Sequence, residues 1–201
     1  MKNYEETILN GLYEINEKAI ELKNTKDAEL HKAENTYKSQ ALERARASIE
    51  ENYTSAIREL TSKERAYLST LNTAIRRQVS EIATKSLTDE EITDMEFIKA
   101  YGIKKMQNNP ILFNMYLEKH GKSFPFRTLL ASEGVNLDNT SIPLTEIDNL
   151  FQSCEYYLTN IETCNTYAQS LDSAVTLDTR VGAISRNGYY IDNFINTYTE
   201  G

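Results

Sequence analysis

Tryptophan is absent from this chain of 201 residues, cysteine and histidine occur twice each, and proline three times. Each scarcity removes a class of answer. Cys154 and Cys164 stand ten residues apart. On one helix they would lie ~15 Å from each other and on different faces, out of disulfide reach. They read as small core residues of a protein made in a reducing compartment. His31 and His120 have no second His or Cys at ligand spacing, so neither a zinc site nor any other metal or cofactor is expected. No run approaches the ~18 apolar residues that a membrane span needs. The opening Met1-Lys2-Asn3-Tyr4-Glu5-Glu6 lacks the apolar stretch of a secretory signal. The expectation is a soluble protein of the cytoplasm.

Turn residues are the most telling shortage. Up to residue 101 there is one glycine, Gly11, and no proline. Few globular segments go so long without punctuation. Apolar residues recur there at three-and-four spacing: Ile8, Leu12, Ile15, Ala19 and Leu22; then Leu42, Ala45, Ile49, Tyr53, Ala56 and Leu60; then Leu68, Leu71, Ile75, Val79 and Ile82. The phase slips near Asn24-Thr25-Lys26-Asp27 and near Thr61-Ser62-Lys63-Glu64, where each slip is either a coiled-coil stutter or a break. Thr61 and Glu64 fit a capping box, which favours a break at the second site. Unbroken, residues 4–85 would span ~120 Å; broken, they give two or three helices side by side. The seam is narrow and rich in Ala and Tyr, the mark of a helix that needs another helix.

Past this rod the punctuation returns. Thr88 followed by Glu91 predicts an N-cap and a helix over about 89–107 that buries Ile92, Met95, Phe97, Ile98 and Tyr101. Asn109-Pro110 opens another helix, closed by Gly121. A third runs from Pro125 to Glu133 and ends at Gly134. A second long helix is expected over about 143–176, with the seam Ile147, Phe151, Cys154, Leu158, Ile161, Ala168, Leu171 and Val175, interrupted by Asn165. Val181 to Ile191, centred on Asn187-Gly188, reads as a β-hairpin. The fold class is therefore all-α: long amphipathic helices, as coiled coil or helical hairpin, plus a small helical module and a C-terminal β-hairpin. Three domains follow: a rod over 1–86, a three-helix module over 87–142, and a second long helix with its tail over 143–201. The residues expected to meet a protein partner are Ile49, Tyr53, Leu60, Leu71 and Ile75 on the rod, and Ile147, Phe151, Leu158 and Ile161 on the second long helix.

Charge and motifs narrow the chemistry. The formal net charge is −8, the mean hydropathy −0.55, and 13 Tyr with 6 Phe carry the aromatic area. Residues 1–86 hold 14 basic and 14 acidic side chains, so the whole excess of acid lies beyond them. An acidic lobe does not grip nucleic-acid phosphates but leaves room for a basic protein. Gly121-Lys122-Ser123 has the end of a phosphate-binding loop, but Tyr116 stands where that motif needs glycine. Arg76-Arg77 reads as surface charge, and Asp89-Glu90-Glu91 as helix-start chemistry. No context supports a Ser-His-Asp or Cys-His catalyst, and the chain is expected not to be an enzyme.

The neutral rod, small module and second long helix, the abundance of Lys, Glu, Asn, Ile and Thr, and the opening Met1-Lys2-Asn3-Tyr4-Glu5-Glu6 together resemble scaffolding-like and minor structural proteins of phages of low-GC bacteria. The likeness covers mainly residues 1–85 and includes no diagnostic motif. It implies self-association into a homo-oligomer, contact with a coat, portal or tail protein, and association with the virion. The alternative is a phage-borne inhibitor of a host defence nuclease, its acidic lobe seated in a basic channel. A third reading is a cytosolic structural coiled coil of the host. A membrane partner is not expected, and nucleic acid is disfavoured.

Overall fold

A computed structural model describes residues 3–138, 140–161 and 171–199, with backbone alone for 171–180. The protein is all-α. Its described helices are α1 (Tyr4–Thr36), α2 (Gln40–Ala83), α3 (Asp89–Tyr101), α4 (Ile103–Gln107), α5 (Pro110–His120), α6 (Phe124–Ser132), α7 (Leu144–Thr159) and α8 (Leu171–Thr199).

The rod is two helices, folded in half. The chain reverses at Tyr37–Ser39, where Ser39 takes a positive φ of 49° and its carbonyl accepts the amides of Leu42 and Glu43. Neither phase slip is a break, including the one expected at Thr61–Glu64. Thr61 is buried inside α2 and its hydroxyl donates back to the carbonyls of Ile57 and Arg58, while Glu64 reaches across to Gly11 on α1 instead of capping anything. Near the other slip, Lys26 takes an apolar place in the seam; its ammonium lies 4.4 Å from the centre of the Tyr53 ring and 3.5 Å from Glu50. The phase drifts because α2 serves two neighbours. One flank meets α1 through Glu34–Arg46, Lys26–Glu50 and Tyr4–Gln78. The other meets α7 through Arg65–Glu155 and Arg76–Asp148. In both series the residue numbers rise on one helix as they fall on the other, so each pair is antiparallel.

α8 closes the ring between α7 and α1. The four long helices then share one core, in which Ile8, Ile75, Ile147, Leu150, Cys154, Ile184, Ile191 and Ile195 are wholly buried. The carboxylate of Asp192 accepts the amides of Tyr4 and Glu5 at 2.9 and 2.8 Å, capping α1 from another helix. The Glu5 carboxylate in turn accepts the Ser185 hydroxyl. Gly188 stands at the crossing, where an added Cβ would lie 3.0 Å from Glu5 Cα and 2.9 Å from its Cβ.

That crossing corrects the reading of residues 181–191. They are helical, with no hairpin, and Asn187-Gly188 is a contact point rather than a turn. The glycine is there for want of a Cβ, because α1 passes too close for one. Two other expectations change. The helix from 89 stops at Tyr101, since Gly102 takes φ 95° and turns the chain into the separate α4. The helix from 143 ends at Thr159, capped by Asn160; Cys164, Asn165 and Ala168 lie outside the described residues, and 171–176 belong to α8.

Helices α3–α6 form a second core around Met95, Ile98, Met106, Tyr116, Phe126 and Leu130. The capping box is present: the Glu91 amide donates to the Thr88 hydroxyl, and the Glu91 carboxylate accepts the Thr88 amide at 2.7 Å. Phe124 joins the two cores, its ring edge-on to Phe194 and Tyr198 at 5.2 Å each.

Two outcomes follow from this packing. Gly182→Ala, with nothing within 4 Å of the new Cβ, should gain about 0.5–1 kcal/mol in urea unfolding from helix propensity. Gly188→Ala should lose stability by about 1–3 kcal/mol despite the same propensity gain, because a backbone must shift. Equal effects at the two sites would contradict the crossing. Glu64 gives a pH test. Burial first, and Glu14 second, raise its carboxyl against the pull of Lys18, and its Oε1 is buried without a partner. A carboxyl raised on folding contributes stability that is complete below its unfolded pKa and lost as pH rises through the folded one. Glu64→Gln should therefore be the more stable protein at pH 7 and lose that lead near pH 4, read from paired unfolding curves.

Candidate interaction surfaces

The residues singled out from the sequence separate into two groups. Ile75, Ile147, Leu158 and Ile161 are buried within the chain, covered by its own four long helices; Leu71 and Phe151 are half-buried against the same core. Ile49, Tyr53 and Leu60 are half-buried along a groove between α1 and α2, and Tyr53 and Leu60 also pack against the edge of that core. Leu22 and Ala56 share that groove's floor, and Lys18, Glu21, Glu29, Glu59 and Lys63 its rims.

A second surface was not read from the sequence. Phe97 and Tyr101 were expected in the core, but they are 45% and 39% exposed; Met115 and Ile111 on α5 are 48% and 84% exposed. The inward face of α3 carries Glu91, Met95 and Ile98. Glu90, Asp94, Phe97 and Tyr101 fall on the flank that meets α5, given 100° per residue. Contacts confirm this: Lys119 reaches Asp94 at 2.6 Å and Glu90 at 2.7 Å, Phe97 lies 6.1 Å from Tyr116, and Phe97 stacks on Tyr101 at 6.0 Å. Met115 and Ile111 lie one and two turns back from Lys119 on α5. An apolar strip thus runs outward between α3 and α5, with an ion-pair cluster at one end and α4 at the other. Ile92, also exposed, lies on the far flank of α3 and outside the strip.

Beneath the charged end sits the most polar part of the module. His120 is buried under Phe126, ring centres 4.6 Å apart, and its Nε2 donates to Asp94 at 2.7 Å. The bond from His120 first, and that from Lys119 next, hold the Asp94 carboxyl below the usual carboxylate range. Burial works to raise the carboxyl of Glu91, but hydrogen bonds from Ser123 and Thr88 and the adjacent His120 outweigh it and lower it. Ser123 also accepts the Phe126 amide as the N-cap of α6. Asp94, His120 and Ser123 are thus the right residue types for nucleophilic catalysis, but each is engaged in holding α3, α5 and α6 together. Burial first, and Glu64 second, push the Cys154 thiol up to about 12, which leaves it no nucleophile. Of the acidic triplet at 89–91, Glu91 is spent on the cap and Glu90 on Lys119.

Gly121, in the phosphate-loop remnant, follows α5 with φ −62°; a Cβ there would meet the Leu117 carbonyl oxygen at 2.2 Å. Its glycine is a steric need of the α5–α6 corner. Among the described residues no three His, Cys, Asp or Glu side chains gather as a metal site, and no helix is long and apolar enough to cross a membrane. Compared with known proteins, the chain matches no family model, no curated sequence and no solved structure.

Asp94 makes the charged end testable. A carboxyl lowered on folding contributes stability above its unfolded pKa and loses it as pH falls through the folded one. Asp94→Asn should melt at a lower temperature than the parent at pH 7, and the gap should narrow only as pH falls below the ordinary aspartate range, where the lowered Asp94 carboxyl begins to take up its proton. A gap that stays the same down to the most acidic pH at which both proteins still fold would mean that charge at Asp94 is not what holds α3 to α5.

Proposed function

We propose that this is a non-enzymatic protein–protein interaction protein, in which the four-helix bundle supports a small module that presents the α3–α5 strip to another protein. The observation that carries the reading is the exposure of Phe97 and Tyr101 on α3 and of Met115 and Ile111 on α5, while Met95, Ile98 and Tyr116 of the same helices fill a core. A contiguous apolar strip with aromatic members and a charged rim has the composition of an interface centre. The groups that could serve chemistry instead, Cys154, His120, Asp94 and Ser123, are occupied as structural members. The resemblance of the opening stretch to accessory assembly proteins of phages agrees with such a role. In that role the module would contact a coat, portal or tail protein, and the protein would act in the host cytoplasm or on the virion.

A photoreactive amino acid at position 111, introduced in cells that carry the gene, should form protein adducts on illumination. The same group at position 44, exposed on α2, should form few. Absence of adducts at 111, or equal yield at both positions, would remove the strip from consideration as a binding face.

A further inference from the structure

The strip is bipolar along its length. Asp89 and Glu90 are exposed in the first turn of α3; Lys119 pairs there with both Glu90 and Asp94, so that end keeps an excess of acid over its one lysine. At the other end α4 joins Tyr101 to Pro110 and carries Lys104 and Lys105, both exposed and with no ion pair among the described residues. The apolar side chains of Phe97, Tyr101, Met115 and Ile111 lie between these ends. A twofold axis lying in the plane of the contact, near Phe97 and perpendicular to the length of the strip, would set α3 of one copy face to face with and antiparallel to α3 of another. It would then bring the two lysines of each copy over the two acids of the other, and apolar strip over apolar strip.

We propose that a second copy of this chain covers the strip in this twofold arrangement. The inference rests on the reading of the α3–α5 face as a protein-binding surface, and it names the occupant. Charge decides for a second copy. An acidic foreign protein or an anionic membrane meets the lysines well but is repelled by Asp89 and Glu90, and a basic partner meets the reverse. A surface that satisfies both ends must itself be bipolar and of the same length, as the strip is. In an isologous contact every favourable pair occurs twice. The charged ends set register, and the apolar centre gives affinity. α3 is ~20 Å long, and two helices of that length make a footprint at the small end of specific interfaces, below ~800 Å² per partner. The dimer therefore forms at micromolar concentrations.

Sedimentation of the full chain over roughly 2–400 μM tests this, a range that spans the weak association expected of so small an interface. Lys104→Glu with Lys105→Glu should weaken association about tenfold or more, and Asp89→Lys with Glu90→Lys likewise, because each places like charges opposite one another. Mixed in equal amounts, the two variants should associate to within about threefold of the parent, since both ends are complementary again in the mixed dimer. Helix content and melting by circular dichroism establish that each variant is folded. Asp89 and Glu90 also favour the start of α3, so Asp89→Asn with Glu90→Gln replaces the reversal if that variant unfolds, and should weaken association by a smaller factor. A parent that stays monomeric to 400 μM, a dimer indifferent to both reversals, or a mixture no tighter than its components would each overturn the proposal. If the parent is monomeric and position 111 forms adducts with a different protein, the second copy is excluded and the binding face stands. If position 111 forms no adduct at all, the binding face falls with it.

Discussion

The first turn of α1 lies on α8 with no side chain between them at Gly188, and the Asp192 carboxylate takes the amides of Tyr4 and Glu5. The closed ring of four helices depends on this crossing. The first amides of a helix have no partner of their own, and here they are supplied by a residue far along the chain. The arrangement is costly to Asp192. Burial first raises its carboxyl, the charge of Glu5 adds to that, and the two amide bonds oppose both. A buried acid is tolerated because it satisfies two donors at once and sets the place of α8 on α1. With α8 in place the seam of α1 and α2 is covered on its inner side. Ile8, Leu12, Ile15, Ile75 and Val79 lose water to Ile184, Ile191, Phe194 and Ile195, and each such burial contributes about 1.5–3 kcal/mol.

The inserted module is built differently. Its helices are short, and each end is satisfied locally: Thr88 with Glu91, Asn109 on the Leu112 amide, and Ser123 on the Phe126 amide. A small core of Met, Tyr, Phe and Leu holds them, reinforced by Asp94 between Lys119 and His120. Because the module satisfies itself, it has apolar side chains to spare, and these appear on its outer surface between α3 and α5. The bundle spends its seam on folding, whereas the module keeps part of its apolar area outside. This division of labour places an interaction surface on the smaller part and leaves the larger one as its support.

Sequence patterns made the local elements legible where the signal was local. The capping box at Thr88, Pro110 at a first helical turn and Gly134 at a helix end (φ 90°) all depend on neighbours within four residues, and all stand where expected. The rod's need for helical partners was legible as well, from its narrow seam. Patterns failed where one residue answers to a distant one. Thr61 and Glu64 have the spacing of a cap, but α1 lies over them and Glu64 turns to Gly11. Asn187-Gly188 has the composition of a turn, but a glycine without room for a Cβ has the same letter as a glycine with positive φ. Phe97 and Tyr101 have core chemistry and helical spacing, yet Met95 and Ile98 face inward, and Phe97 lies more than a quarter turn from both.

By itself the sequence determined that the long glycine-poor stretch over 4–85 is helical, that its seam must be covered by other helices, and where α3 and α5 of the module begin. Those properties come from hydrogen bonding, side-chain entropy and apolar periodicity within a few residues. Only the tertiary structure decided that α7 and α8 cover the seam of α1 and α2, and that the surplus apolar surface emerges between α3 and α5. The periodicity of a helix states which residues share a face. It does not state which other helix that face will meet, and burial is a property of the pair.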